Sequence, residues 1–316
     1  MFKNTFTLYL STVLIWGSTF LAIQFQLGTV AAEVSLTYRF SLAALILLVW
    51  CLLRKLPMTF QLKEHFWMFL QGIALFGLNY LLVYWASYEL SSGLIAVIYS
   101  TIVLMNIANS FLFFGKRPNS SIIISALFGL AGICMVFWSE IETFGANTGK
   151  LEAVGLALAS TFVASVGSMI SVRNQRAKLP VVQTNAYGMT YGSLALVALI
   201  QIKGIPFSYD ASFTYLGSLF YLAMFGSVLA FGCYLTLVGR IGAEKSAYTM
   251  VLFPIVALGF STLFEGYQWS VESMIGVTLI LVGNVLNSLS RKHIDYLLHK
   301  LRPAYKLTQQ PASFHK

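Results

Sequence analysis

Tyr80 and Tyr84 stand four residues apart in an apolar run, so one helical face carries both rings. Paired rings at that spacing offer stacking to an aromatic solute and a π-face to a cation. Asn79 adjoins Tyr80, and Asn106 and Asn109 lie three apart on one face of the next run, beyond Tyr99 and Met105. Amides in such runs are expensive unless bonded, which leaves two uses: gluing helices together, or hydrogen-bonding a zwitterionic solute. Trp16, Tyr191, Tyr234 and Tyr248 complete the rings placed away from run ends. Each of these rings is equally suited to packing. This is binding chemistry, not bond-making chemistry. The chain has no His-Glu-x-x-His, no Gly-x-Ser-x-Gly and no Gly-rich phosphate loop, so an enzyme fits poorly. His65, His293, His299 and His315 all lie outside the apolar runs, and Cys51, Cys134 and Cys233 lie singly within them. Neither a metal site nor a cofactor is expected, and the thiols read as small packing residues.

The elements that must position these residues follow from composition. Of 316 residues, 58% are hydrophobic and 10% charged, with a mean hydropathy of +0.76. Soluble domains carry roughly 25% charged residues. Charge this sparse makes lipid the solvent for much of the surface, and lipid admits only helices or closed barrels. Barrel strands would alternate apolar and polar residues, whereas here the runs are continuous and about 20 residues long. They fall at 5–24, 35–53, 66–87, 92–114, 121–138, 152–172, 180–201, 213–238, 244–264 and 271–289. Those at 152–172 and 180–201 are the weakest, being rich in Ser, Thr and Gly. The expectation is an all-α integral membrane protein of ten transmembrane helices. Residues 1–24 fit an uncleaved first helix, because further spans follow with no soluble domain.

The net charge of +9 serves topology, not nucleic-acid binding. With the N-terminus inside, every Lys and Arg falls inside except Arg39, Lys150 and Lys203. That bias places both termini in the cytoplasm. Arg39 and Glu265 lie near the outer ends of spans 2 and 9, where Arg39 is expected to pair with Glu33 or Glu265, or to meet a carboxylate at the outer mouth. No Asp or Lys lies deep within a span. The expected centre is neutral, aromatic and amide-lined, suited to neutral or zwitterionic solutes and not to phosphates. The tail "RKHIDYLLHKLRPAYK" from Arg291 places Ile294, Leu297, Leu298 and Leu301 on one face, as a basic helix on the inner leaflet would.

An offset of about 150 residues brings the chain onto itself. Tyr84 meets Tyr234, Gly132 meets Gly283 with one extra residue, and Ser91–Lys116 falls on Gly242–Tyr267. "STVLIWGSTFLAI" is similar to "LALASTFVASVGS". Residues 1–150 and 151–290 thus read as two five-span repeats, followed by a cytoplasmic tail at 291–316. Five is odd, so the halves cross in opposite directions. Inverted repeats of this kind are the architecture of secondary transporters, with the site at their interface.

"WGSTFLAI", "YRFSLAALIL" and "GLIAVIYSTIVLMNIANSFLFFGKR", with the Gly-rich fifth and tenth spans, resemble the drug/metabolite transporter superfamily, and within it the ten-helix EamA-type members. The resemblance covers essentially the whole chain. It implies a basket of helices around a central cavity walled by spans 1, 3, 4, 6, 8 and 9. It further implies export of amino acids or other small metabolites across a bacterial inner membrane. Two departures stand out. The fourth span ends in Gly115-Lys116-Arg117 where Gly-Glu-Arg is common, and the mid-span proline occurs only as Pro254, opposite Val103 or Leu104. Pro254 is either a static kink or a gating hinge.

The candidate substrate-binding residues are Trp16, Thr19, Asn79, Tyr80, Tyr84, Tyr99, Asn106, Thr161, Tyr234 and Tyr248. The expected partners are a small-molecule substrate and the lipid bilayer, and a single copy is compatible with the sequence. Gly17, Ser18 and Thr19 admit two readings, close helix packing and a narrowed cavity wall. Ser160 and Thr161 would act likewise from the other half. An exporter of drugs or lipid-like amphiphiles, and a non-transporting membrane scaffold, are the alternative functions.

Overall fold

Continuous apolar runs leave the backbone to satisfy itself, and the computed structural model is accordingly helical throughout its regular elements. It describes residues 4–115, 120–136, 138, 148–234, 236–237 and 249–288. Tyr248 and the tail from Arg291 lie outside them. The helices are α1 (Thr5–Gln24), α2 (Ala32–Leu53), α3 (Leu62–Ala86), α4 (Ser92–Phe114) and α5 (Ser120–Val136), then α6 (Thr148–Arg176), α7 (Val181–Lys203), α8 (Phe213–Tyr234), α9 (Thr249–Phe264) and α10 (Val271–Ser288). Among the described residues, α1, α2, α3, α4, α6 and α8 contain stretches long and apolar enough to cross a membrane. The chain is therefore a multi-pass helical membrane protein. Although rich in Ser and Gly, the 152–172 run lies within one of them. The 180–201 run is helical too, and α7 turns its polar side chains Gln183, Thr184, Asn185 and Ser193 inward.

Local chemistry sets the ends. The Asn4 side chain accepts from the Phe6 N–H, Ser91 caps Leu94, and Gln61 with Glu64 forms a capping box. Gly204 closes α7 in the left-handed region, at φ 64°. At the start of α4, the Glu265 carboxylate accepts from the Ser92 N–H at 3.1 Å and its hydroxyl at 2.6 Å.

Three helices depart from α geometry. α3 and α8 each carry a π-helical stretch, at Ile73–Leu78 and Leu222–Leu229. Such widened turns free carbonyls and re-aim side chains. In α8 the Ser227 hydroxyl donates to the Leu222 carbonyl five residues back, at 3.0 Å. α4 is interrupted at Ser100–Thr101. There the hydroxyls donate three residues back, to the Val97 and Ile98 carbonyls, both at 2.7 Å. No proline is needed. The first half thus has a helix break beside Val103, which the missing proline did not foretell.

Packing is pairwise: α2 on α7, α5 on α10, α1 on α9, and α6 on both α3 and α4. Bare glycine backbones allow the closest approaches. A Cβ on Gly72 would collide with the Gly188 carbonyl oxygen, and Cβ atoms on Gly132 and Gly276 would each lie 2.6 Å from the other's carbonyl oxygen. Large apolar side chains such as Leu52, Leu112 and Leu263 face outward, as a lipid-solvated surface requires.

Candidate functional site

The widened turn of α3 ends at Asn79 and presents Phe76, Asn79, Tyr80 and Tyr84 to the middle of the bundle. α1 contributes Trp16 and Phe20 one turn apart. The rings meet in a continuous chain. Trp16 lies 5.0 Å from Tyr234 and 5.4 Å from Phe231; Phe231 lies 5.3 Å from Phe76. Phe76 then meets Phe40 at 5.4 Å, and Phe40 meets Tyr80 at 5.1 Å. Phe20, Tyr99 and Phe253 form an adjoining group, with centroids 5.7 to 6.5 Å apart. Edge and tilted contacts of this kind add to the area term of ring burial.

Asn79 joins the ring groups to the second half of the chain. Its carbonyl oxygen accepts from Ser160 Oγ at 3.0 Å and from the Tyr99 hydroxyl at 3.3 Å. Its amide donates to the Leu75 carbonyl at 3.2 Å. A single amide thus ties α3, α4 and α6 together.

Arg39 sits at the centre of these rings and is fully buried. Its guanidinium carbon lies 4.3 Å from the Tyr80 ring centroid and 5.1 Å from that of Phe40. Nε donates to Ser227 Oγ at 3.2 Å, while Nη1 and Nη2 have no hydrogen-bond partner. The expected ion pair is not formed. Glu33 instead accepts from Lys203 Nζ at 3.2 Å, and Glu265 is engaged at Ser92. The reason is helical: Glu33 is six residues from Arg39, about 240° round the helix. The residues one turn away are Ser35, Leu36, Leu42 and Ala43, none of them acidic. The neutral, amide-lined centre is corrected by the same observation, because it contains a cation. The apolar run holding Arg39 without a neighbouring carboxylate was the available signal.

Trp16, Tyr80, Tyr84, Tyr99, Asn79 and Tyr234 all belong to this assembly or line it. The Tyr84 hydroxyl is buried beside the Arg39 guanidinium, close enough to bond it but without good hydrogen-bond geometry. Thr19 approaches from α1, where a Cβ on Gly226 would lie 2.8 Å from its Cγ2 and 3.5 Å from Arg39 Nη2. Its neighbours point elsewhere: Gly17 packs on Val256 and Ser18 bonds the Tyr221 hydroxyl at 2.6 Å. Thr161 is buried and bonds back to the Ala157 carbonyl at 2.7 Å, so Ser160 is the residue that reaches the centre. Asn106 is half-buried with its carbonyl oxygen unpaired, and Asn109 instead bridges to Ser165 at 2.8 Å. Pro254 is buried within α9, next to Phe253. Phe20, Phe40, Phe76, Phe231, Phe253 and Ser227 were not anticipated, since phenylalanine is everywhere in this chain.

In the centre, Phe20, Phe40, Phe76, Tyr84 and Phe253 are buried, whereas Trp16, Tyr80, Tyr99, Phe231 and Tyr234 are partly exposed. Two recesses open beside it: one between α2, α7 and α8 reaches Ser227, and one between α1 and α8 is lined by Ser18, Phe25 and Tyr221.

The model of the EamA-like transporter family matches residues 5–138 and again 151–289. An uncharacterized inner membrane transporter of Escherichia coli (strain K12), YedA, is 27% identical over 295 residues, which is 92% of this chain and 91% of that protein. Protein PagO of Salmonella typhimurium is 21% identical, covering 90% of this chain and 92% of its own length. One crystal structure superposes with a TM-score of 0.67 at 18% identity, over 95% of this chain and 99% of its own, which establishes likeness of fold.

Proposed function

Because this chain belongs to the EamA-like transporter family, we propose that it is a secondary transporter of small neutral or zwitterionic metabolites, such as amino acids. The observation that carries this is the ring-and-donor centre. Its side chains come from α1, α2, α3 and α4 of one half and α6, α8 and α9 of the other. Ten spans arranged as two inverted repeats would place that centre at the bilayer midplane, between units able to rock about it.

Several features support the inversion. The π-helical stretches occur at equivalent places in α3 and α8. Exchanging α1–α5 with α6–α10 converts the α1–α9 contact into α6–α4, and α3–α7 into α8–α2, all of which occur. The family model also matches twice. Outward transport follows the family resemblance.

The apolar recess between α1 and α8 favours a second reading, export of amphiphilic drugs or lipid-like molecules. Counterflow in proteoliposomes with a labelled amino-acid panel separates the two. Exchange of an aromatic or neutral amino acid, competed by its relatives, is the expected result. Exchange of amphiphiles alone would replace it with the second reading, and no exchange of any solute would favour a scaffold.

A further inference from the structure

Arg39 poses an electrostatic problem that the bundle leaves open. Its Cα lies seven residues into α2, about 10 Å along the axis. The side chain cannot snorkel to an interface, because it is wholly enclosed. Guanidinium remains charged in proteins. Its compensation consists of two ring faces, one serine hydroxyl and the neighbouring Tyr84 hydroxyl. Nη1 and Nη2 carry four N–H donors with no well-aligned partner, and the acceptor beside them is the Tyr84 hydroxyl oxygen.

Unsatisfied buried atoms are rare, and each calls for an explanation. Among the described residues the unpaired buried side-chain atoms are Trp16 Nε1, Gln26 Oε1, Arg39 Nη1 and Nη2, Tyr84 Oη, Asn106 Oδ1 and Ser261 Oγ. Those belonging to the central assembly are Trp16 Nε1, the two Arg39 nitrogens and Tyr84 Oη. The three nitrogens only donate, and the Tyr84 hydroxyl can donate or accept. The centre is therefore short of an acceptor, and specifically of a negative one.

We propose that Arg39 is the docking point for a single carboxylate of the transported solute, received by Nη1 and Nη2 with the Tyr84 hydroxyl beside them. This rests on the transporter reading and narrows its substrate class to solutes bearing one carboxylate, amino acids included. One cation matches one negative charge. A dianionic phosphate would leave net charge in a low-dielectric centre with no second Lys or Arg among the described residues to meet it. The planar fork suits a carboxylate bidentately. Gly226 has no side chain beside Nη2, and the methyl groups of Thr19 and Leu222 are its other neighbours on that side. Tyr80 and Phe40 stack on the guanidinium and hold its plane, and Ser227 fixes Nε, leaving the outer edge for the ligand.

The test measures thermal unfolding of the purified full chain with matched acids and amides. The pairs are L-phenylalanine with L-phenylalaninamide and L-leucine with L-leucinamide, and phenylacetate serves as an acid lacking the ammonium. At least one acid is expected to raise the melting temperature in a saturable way, with its amide at least tenfold weaker. Arg39→Gln should abolish the acid response, and Arg39→Lys should weaken it about tenfold, because a point charge replaces the fork. Should Arg39→Gln fail to fold, Arg39→Lys decides alone. Equal responses to acid and amide, an undiminished acid response in these variants, or no response to any acid would overturn the proposal. Counterflow distinguishes the parent reading. Acid-dependent stabilisation without exchange would retain the anion site and sink the transporter reading. Exchange indifferent to the carboxyl group would do the reverse.

Discussion

At Asn79 one side chain does the work of three helix contacts. Its oxygen accepts from Ser160 and Tyr99, and its amide donates within α3. Asn79→Ala would strand two hydroxyls in a buried site, each costing about 1–3 kcal/mol if it finds no new partner. The expected outcome is a lower melting temperature together with reduced transport, read on the same purified protein. Trp16→Ala should reduce transport at least tenfold with a smaller loss of stability, since Trp16 lines the centre and contacts α8 through Tyr234 and Phe231. Trp269→Ala is the control. Trp269 is partly exposed and bonds Thr262, away from the centre, so transport should hold near wild type. Loss of transport only in the Trp269 variant would contradict the site. At this scale the sequence was half legible. Mid-run polar and tyrosine residues stand out against a leucine background, and most of those singled out do gather. Phenylalanines do not stand out, and partner choice for Arg39 depends on helix rotation and on what faces α2.

The elements depend on backbone contact. A Cβ on Gly72 would collide with the Gly188 carbonyl, which is backbone and has no rotamer to change. Gly72→Ala must therefore separate α3 from α7, at a cost of about 1–3 kcal/mol. Gly217 and Gly259 have open space at the same position, and alanine there should be neutral or stabilising by up to about 1 kcal/mol. Melting temperatures of the three variants check the contrast, and equal effects would mean that the α3–α7 contact is misplaced. The helical runs were legible from their length and apolarity, and among the described residues six helices are long and apolar enough to cross a membrane. The π-helical stretches and the Ser100–Thr101 break were not. At Ser100–Thr101 and in α8, hydroxyls take up backbone carbonyls, whereas a proline is visible in the sequence by itself. Pro254→Ala restores a possible backbone bond in α9. If the bend is a hinge, transport should fall while the melting temperature holds or rises.

At the scale of the whole molecule, composition and the 150-residue offset carried the reading. A low charge content demands lipid, and a self-similar chain of odd-numbered halves suggests opposed units. The ring packing at the centre was not legible, because no spacing encodes it. The central claim is that this one buried centre opens to each side in turn. Thr19→Cys, in a background where Cys51, Cys134 and Cys233 are replaced, places a thiol beside Arg39 and Gly226. Its labelling by a membrane-impermeant thiol reagent should be followed in right-side-out and inside-out vesicles. The account predicts labelling from both faces, slowed by a transported solute. Labelling from one face only, or from neither, would contradict alternating access around this centre.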